Sequence, residues 1–456
     1  MAAPLKRSMR VLGVLLLTLS GVTPASSVFI GVPEVISEAG TGALISMIVG
    51  ALLVIPIACV YAELSSAFPI AGGEYALVGR TLGPAPGFAI LGLTVAVNML
   101  SPAVLALGVA ANLKPIFPRL DPTWTAEAIL AATTLLGVLH IRTNAWVTGI
   151  FLFLELAALG VLTLLGAAHA QNPLGAFLTH PVVLSGRAFH PAGAAAIGLS
   201  VSVAIFVYNG FGSAVYFAEE MHEAPRLVAR TILWSGLISV VTVFAPLAAV
   251  LAGAPDLKAL LVADSPFSAF LDSVGAGWLK TAMGVAVALA ILNAVLACIL
   301  QNSRFFYSSG RDEAWHPMIN AAFQATHPRY NSPWIATLAA GGSAMLVCFI
   351  GLGRLLVLTG AGLAFTYAAL CIAAVAGRLN RTTSRAAWRI PLGLLVAGLG
   401  LGGSSYALWA EWLDPEVGRM SLAATAAFLA VSMIYYGAVV RRRGVWRVRD
   451  PDPETV

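Results

Sequence analysis

The chain has 456 residues, of which 59% are hydrophobic and 10% charged, against roughly 25% charged in an average soluble domain. A soluble fold of that length could not hide so much apolar surface, so one membrane domain accounts for nearly the whole chain. The net charge of +5 sits in short loops and at the C-terminus with no folded basic domain behind it, which argues against a nucleic-acid partner.

Lys6, Arg7 and Arg10, an apolar run at 11–19, and then Ala25-Ser26-Ser27 have the outline of a cleavable signal peptide. The apolar run resumes at Val28, however, so a first span with a polar interruption is the better reading. Between the clustered charges lie apolar runs of about 20 residues, the length a helix needs to cross ~30 Å of hydrocarbon. They predict twelve spans, at 11–37, 42–65, 86–112, 124–140, 144–168, 195–220, 228–252, 276–308, 333–350, 354–376, 389–410 and 420–440. Turn residues mark the joints, among them Gly40-Thr41-Gly42, Gly72-Gly73, Gly83-Pro84, Asp121-Pro122 and Asp414-Pro415.

Basic residues then set the orientation. With the N-terminus inside, 19 of the 26 Lys and Arg residues face the cytoplasm, including Arg80, Arg142, Arg226, Arg311, the cluster at 378–389 and the tail at 441–449. Lys114, Arg119, Arg187, Lys258, Lys280, Arg354 and Arg419 are left outside. This is the asymmetry expected of cytoplasmic loops. An even number of spans puts both termini in the cytoplasm. Arg441, Arg442, Arg443, Arg447 and Arg449 should also touch anionic lipid, at roughly 1 kcal/mol per basic residue near the surface.

The first span is interrupted by Gly21-Val22-Thr23-Pro24-Ala25-Ser26-Ser27 near its middle. Pro24 removes a backbone donor and clashes with the preceding turn, costing about 3 kcal/mol in a regular helix. In the fifth span Glu155 stands alone, eleven residues beyond Asn144 and so about 16 Å along the axis. An ionised carboxylate at that depth costs at least ~2.5–3.5 kcal/mol. Two readings follow: a proton-binding group for coupling, or a protonated glutamate hydrogen-bonded to a neighbouring helix as a lock.

The sixth span carries the second interruption, Asn209-Gly210-Phe211-Gly212-Ser213. Irregular backbone at membrane depth is tolerated only where it lines a cavity or is buried in protein. Each break alone reads as a packing kink. Together they open two successive sets of five spans, the best sequence pointer to a transporter site at a repeat interface. The segment following Ala25 aims N–H groups and a positive dipole end into the gap, which suits a carboxylate. Freed carbonyls at 21–24 and 208–210 suit an ammonium. The site fits a zwitterion.

Weaker signals come from polar residues within apolar runs. Asn98, Ser101, Asn293, Gln301 and Tyr367 are explained by default as interhelical hydrogen bonds worth about 0.6 kcal/mol; Asn98 and Asn293 are the two placed near the site. Cys59, Cys298, Cys348 and Cys371 lie inside apolar runs without metal-ligand spacing. Gly398, Gly400 and Gly403 match G-x-G-x-x-G within a span and without a preceding strand, so they are packing glycines. No metal site, cofactor motif or enzyme motif is found, and the chain is not expected to be an enzyme.

Three stretches carry a resemblance. The segment from Tyr61-Ala-Glu-Leu through Pro69-Ile-Ala-Gly-Gly-Glu-Tyr75, with Gly83-Pro84 and Gly87-Phe88, resembles the loop between helices 2 and 3 of the amino acid–polyamine–organocation superfamily. Ala218-Glu219-Glu220-Met-His-Glu-Ala-Pro225-Arg226 is similar to that family's acidic exit from helix 6. Ser303-Arg304-Phe-Phe-Tyr307, Arg311-Asp312 and His316-Pro317 are similar to its end of helix 8. The matches fall in the family's order and span most of the chain.

The resemblance implies an all-α polytopic fold of five-plus-five inverted repeats (LeuT-type) with helices 1 and 6 broken, followed by two added helices. On this plan 1–10 is a cytoplasmic N-terminus and 11–168 the first repeat, with an external loop at 169–194. The second repeat is 195–376, the added helices 377–440 and the basic tail 441–456. It also implies secondary transport of amino acids or amines by alternating access, in a plasma membrane of bacterial type. Tyr208, Asn209, Gly210 and Phe211 then line the pocket with Thr23, Pro24, Ala25, Ser26 and Ser27, and Phe206 is an aromatic gate.

Two departures bear on the solute. Gly212 stands where some carriers of cationic amino acids have an acid, which favours a neutral substrate. Glu155 stands near the place of a lysine in some proton-coupled relatives. The reading is therefore a neutral amino acid carrier coupled to a proton, with sodium as the other candidate ion. An amine or polyamine carrier and an exchanger are the alternatives; a sensor or channel on the same scaffold lacks a signalling domain or a charged pore.

Overall fold

The computed structural model describes residues 7–113, 117, 119–185 and 188–450. Lys6, Lys114, Arg187 and the extreme tail 451–456 lie outside the described residues. The first helical stretch is assembled from pieces. Helix α1 (Val11–Val22) is followed by a turn at Pro24–Ser26, a π-helical turn at Ser27–Gly31 and α2 (Val32–Ala39). Then come α3 (Ala43–Ala67), the short α4 (Glu74–Leu82), α5 (Pro84–Leu113), α6 (Pro122–Gly137) and α7 (Ile141–Ala168). A short helix α8 (Leu174–Thr179) and an antiparallel hairpin, β1 (Val182–Ser185) with β2 (Ala188–Pro191), connect to α9 (Ala194–Val207).

Beyond α9 a 3₁₀ run, Phe211–Glu220, leads into α10 (Ala224–Gly253). Two short helices, α11 (Leu257–Val262) and α12 (Pro266–Ser273), precede the long α13 (Leu279–Arg311). The chain ends with α14 (Pro317–Phe323), α15 (Trp334–Cys348), α16 (Leu352–Leu379), α17 (Gly393–Leu413) and α18 (Gly418–Tyr435). Each of the twelve stretches read from the sequence contains helix. Among the described residues nine runs are long and apolar enough to cross a membrane; the first, at Val11–Ala67, contains α1 to α3. Helices α6 and α15, with 16 and 15 residues, reach about 24 and 22 Å at 1.5 Å per residue.

Sequence pattern explains which helix face meets lipid. On α7, Trp146, Ile150, Phe153, Ala157, Val161 and Leu164 are exposed, and their three- and four-residue steps make one stripe. The other face of α7 buries Thr148, Leu152, Glu155, Leu159 and Leu162. Fully exposed tryptophan and phenylalanine would be a liability in water and are at home in hydrocarbon. The protein is a multi-pass, helical membrane protein.

Arg80, Arg304, Arg311 and Arg378 lie at one end of the bundle, here the basic face; the β-hairpin lies at the other, the loop face. At the basic face polar groups knit the helices together. The Tyr75 hydroxyl donates to Asp312 Oδ2 at 2.9 Å, and Arg311 Nη1 grips both oxygens of Glu219 at 2.7 and 2.8 Å. Glu219 also accepts the Ala71 N–H at 2.9 Å. Backbone N–H groups of Ser8 and Met9 donate to the Glu220 carbonyl, which seals the start of the chain against the end of the 3₁₀ run.

The tail packs over this face. Trp446 and Val448 are buried, the indole lying edge-on against Phe88 and tilted over Tyr75. The Arg449 N–H donates to Asp312 Oδ1, and Arg80 pairs with Asp450 at 2.5 Å. Arg441, Arg442 and Arg447 stay exposed.

The most deeply buried ion pair among the described residues joins Arg304 Nε and Glu220 Oε1, 2.7 Å apart with side chains 0% and 2% exposed. Removing one partner of such a pair strands a buried charge. Glu220→Ala is therefore expected to destabilise the fold by ~3–5 kcal/mol, whereas the apolar double variant Arg304→Met/Glu220→Leu should lose far less. Denaturant unfolding in detergent micelles checks this; equal losses for the two variants would count against it.

Candidate functional site

The site is built where two helices stop. Helix α1 ends at Val22 because Thr23 takes a left-handed conformation (φ +49°), its N–H returning to the Leu19 carbonyl. Pro24 has no N–H to continue the ladder. Helix α9 ends at Val207, and Gly210 follows with φ +112°. The two ends touch: a Cβ added to Gly210 would lie 2.7 Å from Val22 Cα and 3.0 Å from Val22 N. Only glycine permits both the dihedral and the approach.

Backbone groups released by the interruptions find specific partners. Glu155 Oε1 accepts the Ala25 N–H at 2.7 Å. The Ser27 hydroxyl donates across the gap to the Val207 carbonyl at 2.8 Å, and Ser239 donates to the Tyr208 carbonyl at 3.3 Å. Asn209 Oδ1 accepts from its neighbour's N–H, that of Gly210, at 2.6 Å and from the Tyr367 hydroxyl at 2.5 Å. Glu155 Oε2 is buried without a hydrogen-bond partner among the described residues.

Between the two interruptions, α5 and α16 lies a cavity of about 410 Å³, within the range of small-solute sites. Of the residues read from the sequence as pocket-lining, Thr23, Ser27, Asn98, Phe206, Asn209, Gly210 and Gly212 line it, and so do Ser101 and Gln301, which the sequence left as interhelical hydrogen bonds. Pro24, Ala25, Ser26, Tyr208, Phe211 and Asn293 fall outside that lining. Tyr208 is fully buried with its hydroxyl on the Met47 carbonyl, and Phe211 stacks on Tyr367. Asn293 donates to Ser20 Oγ at 2.9 Å and the Thr148 carbonyl at 3.2 Å, tying α13 to α1 and α7.

The sequence reading missed the end of the cavity nearest the basic face. Tyr61, Glu74 and Tyr216 line it. Glu74 Oε1 accepts from the Tyr61 hydroxyl at 3.0 Å, and Oε2 accepts from the Tyr216 hydroxyl. Burial pushes the Glu74 carboxyl up from its ordinary value, and the Tyr216 and Tyr61 hydroxyls pull it back. Tyr61 and Glu74 both stand in the segment that resembles the family's loop between helices 2 and 3, but nothing along the chain marked either as facing a cavity. Toward the loop face the lining continues through Val104, Leu105, Thr359 and Leu363.

A helical membrane protein whose two interrupted segments meet at a solute-sized cavity has the make-up of a membrane carrier. The family model described as amino acid permease matches residues 10–439, and the chain belongs to that family. It is 22% identical over 450 residues to the branched-chain amino acid permease BcaP of Bacillus subtilis (strain 168), covering 94% of this chain and 92% of the relative. It is 25% identical to the amino-acid permease RocE of the same organism, covering 96% of each. The large neutral amino acids transporter small subunit 2 of Mus musculus is 29% identical over 299 residues, 63% of this chain and 55% of the relative. The protein is an amino acid permease, a carrier and not an enzyme.

Gly210→Val puts a branched side chain into the Val22 backbone at a left-handed φ, a strain of about 1–3 kcal/mol before any clash is counted. Amino-acid binding, read as a ligand-induced shift in melting temperature in nanodiscs, is expected to disappear. Ser27→Ala removes the bond to the Val207 carbonyl and should lower stability by ~0.5–1.5 kcal/mol. A Gly210→Val protein that binds like the parent would place the solute elsewhere.

Proposed function

We propose that the protein carries a neutral amino acid by alternating access around the interruptions at Thr23–Pro24 and Asn209–Gly210, driven by a proton bound at Glu155. The carrying observation is Glu155 itself, with one oxygen on the Ala25 N–H and the other buried without a partner among the described residues. An ionised carboxylate there holds the Pro24–Ser26 turn by a charge-assisted bond. Protonation weakens that bond and removes a charge from an apolar interior. Proton binding and the position of the turn are thereby linked. A neutral side chain is favoured by Gly212, which brings no carboxylate, and by Val97, Leu105 and Leu363 along the wall.

In this reading twelve spans form two inverted sets of five plus two helices, and the basic face is cytoplasmic in a bacterial-type plasma membrane. Arg441, Arg442 and Arg447 then meet anionic lipid. A second reading, an amine carrier or exchanger, gains support from Glu74, a carboxylate in the cavity lining that could receive a cationic group. Two measurements on protein in liposomes separate these. Glu155→Gln is expected to abolish accumulation driven by a pH gradient while keeping amino-acid binding and exchange. Undiminished pH-driven uptake would reduce Glu155 to a structural tie, and loss of cationic-amine binding in Glu74→Gln would favour the amine carrier.

A further inference from the structure

The side chains at the cavity end nearest the basic face form a set that substrate binding alone does not explain. Tyr61 belongs to α3, Glu74 begins α4 and Tyr216 lies in the 3₁₀ run, so one carboxylate holds three elements through two hydroxyls. The fit is prepared by glycines. A Cβ on Gly73 (φ +68°) would strike the Tyr216 ring at 2.4 Å, and one on Gly212 would strike the Tyr61 ring at 2.6 Å. Each ring can reach Glu74 only because the backbone beside it is bare.

We propose that Glu74 is the latch that closes the cavity toward the basic face, by tying α3, α4 and the 3₁₀ run together through Tyr61 and Tyr216. Three features separate it from the other bonds of that face. Its carboxylate makes no ion pair among the described residues, so releasing it strands no buried cation, unlike release of Glu220 from Arg304. Its side chain is only part-buried and lines the cavity, so an arriving solute can compete for the same hydroxyls. Tyr61 also stands edge-on to Phe211 and Tyr367, and Tyr367 is bonded to Asn209, so the latch joins directly to the interruption after α9. Opening toward the basic face then requires both hydroxyls to leave the carboxylate, and closure re-forms them.

The proposal rests on the alternating-access reading, and the test separates the two. Single cysteines replace Leu105, in the cavity wall toward the loop face, or Ile70, 3% exposed in the segment joining α3 to α4, with Cys59, Cys298, Cys348 and Cys371 removed. Maleimide labelling rates are measured in nanodiscs, where both faces meet solvent, with and without a saturating branched-chain amino acid. In Glu74→Ala, labelling at 105 is expected to fall and labelling at 70 to rise by about tenfold, the scale of a hydrogen bond to a charged group. Tyr61→Phe and Tyr216→Phe should each move both rates the same way by roughly threefold, which keeps the test open if Glu74→Ala folds poorly. Rates unchanged in all three variants, while the parent still responds to amino acid, would overturn the latch and leave alternating access standing. A parent whose rates ignore every amino acid would overturn both. Unchanged rates with a lost affinity for cationic amines would make Glu74 a solute ligand instead.

Discussion

A backbone that leaves the helix inside apolar surroundings must have each released N–H and C=O taken up, because no water is there to take them. The rest of this molecule is arranged around that requirement at Thr23–Pro24 and Asn209–Gly210. Glu155 answers Ala25, Ser27 answers Val207, and Ser239 answers Tyr208. The partners come from α7 and α10 as well as from the interrupted segments themselves. Any movement of one segment must therefore exchange these bonds.

The two ends of the cavity differ in kind. Toward the basic face the protein stacks successive polar ties: Glu74 with two tyrosines, Tyr75 with Asp312, Arg311 with Glu219, and Arg304 with Glu220. The tail adds Trp446 over Tyr75 and Phe88 and brings the Arg449 N–H to Asp312. Toward the loop face the cavity wall is made of Val104, Leu105, Thr359 and Leu363, three of the four apolar. Buried charges are costly to separate, and apolar walls part more easily.

The glycines show how much of this depends on close approach. Gly210 lets α9 end against Val22, and Gly73 and Gly212 let two tyrosine rings lie against backbone. A sequence scan registers such residues as helix breakers or turn formers. Their role as clearances for a particular neighbour is visible only when the neighbour is in place.

What was legible in the residues themselves follows from local physics. Apolar length decided the membrane class and placed the spans, and Pro24 with Gly210 marked where regular hydrogen bonding must fail. The isolation of Glu155 was equally readable, since a lone carboxylate in 28 helical residues stands out against hydrocarbon. Its partner was not, because the Ala25 N–H lies 130 positions away. Asn293 and Glu74 make the same point in opposite directions. Asn293, polar in mid-span, turned toward Ser20 and Thr148 and away from the cavity. Glu74, which the sequence offered only as one letter of a family-like segment, entered the lining because its carboxylate meets Tyr61 and Tyr216. Local sequence decides where a chain must stop being regular; which distant groups meet there is decided by packing, because hydrogen bonds and clearances act through space and carry no signature along the chain.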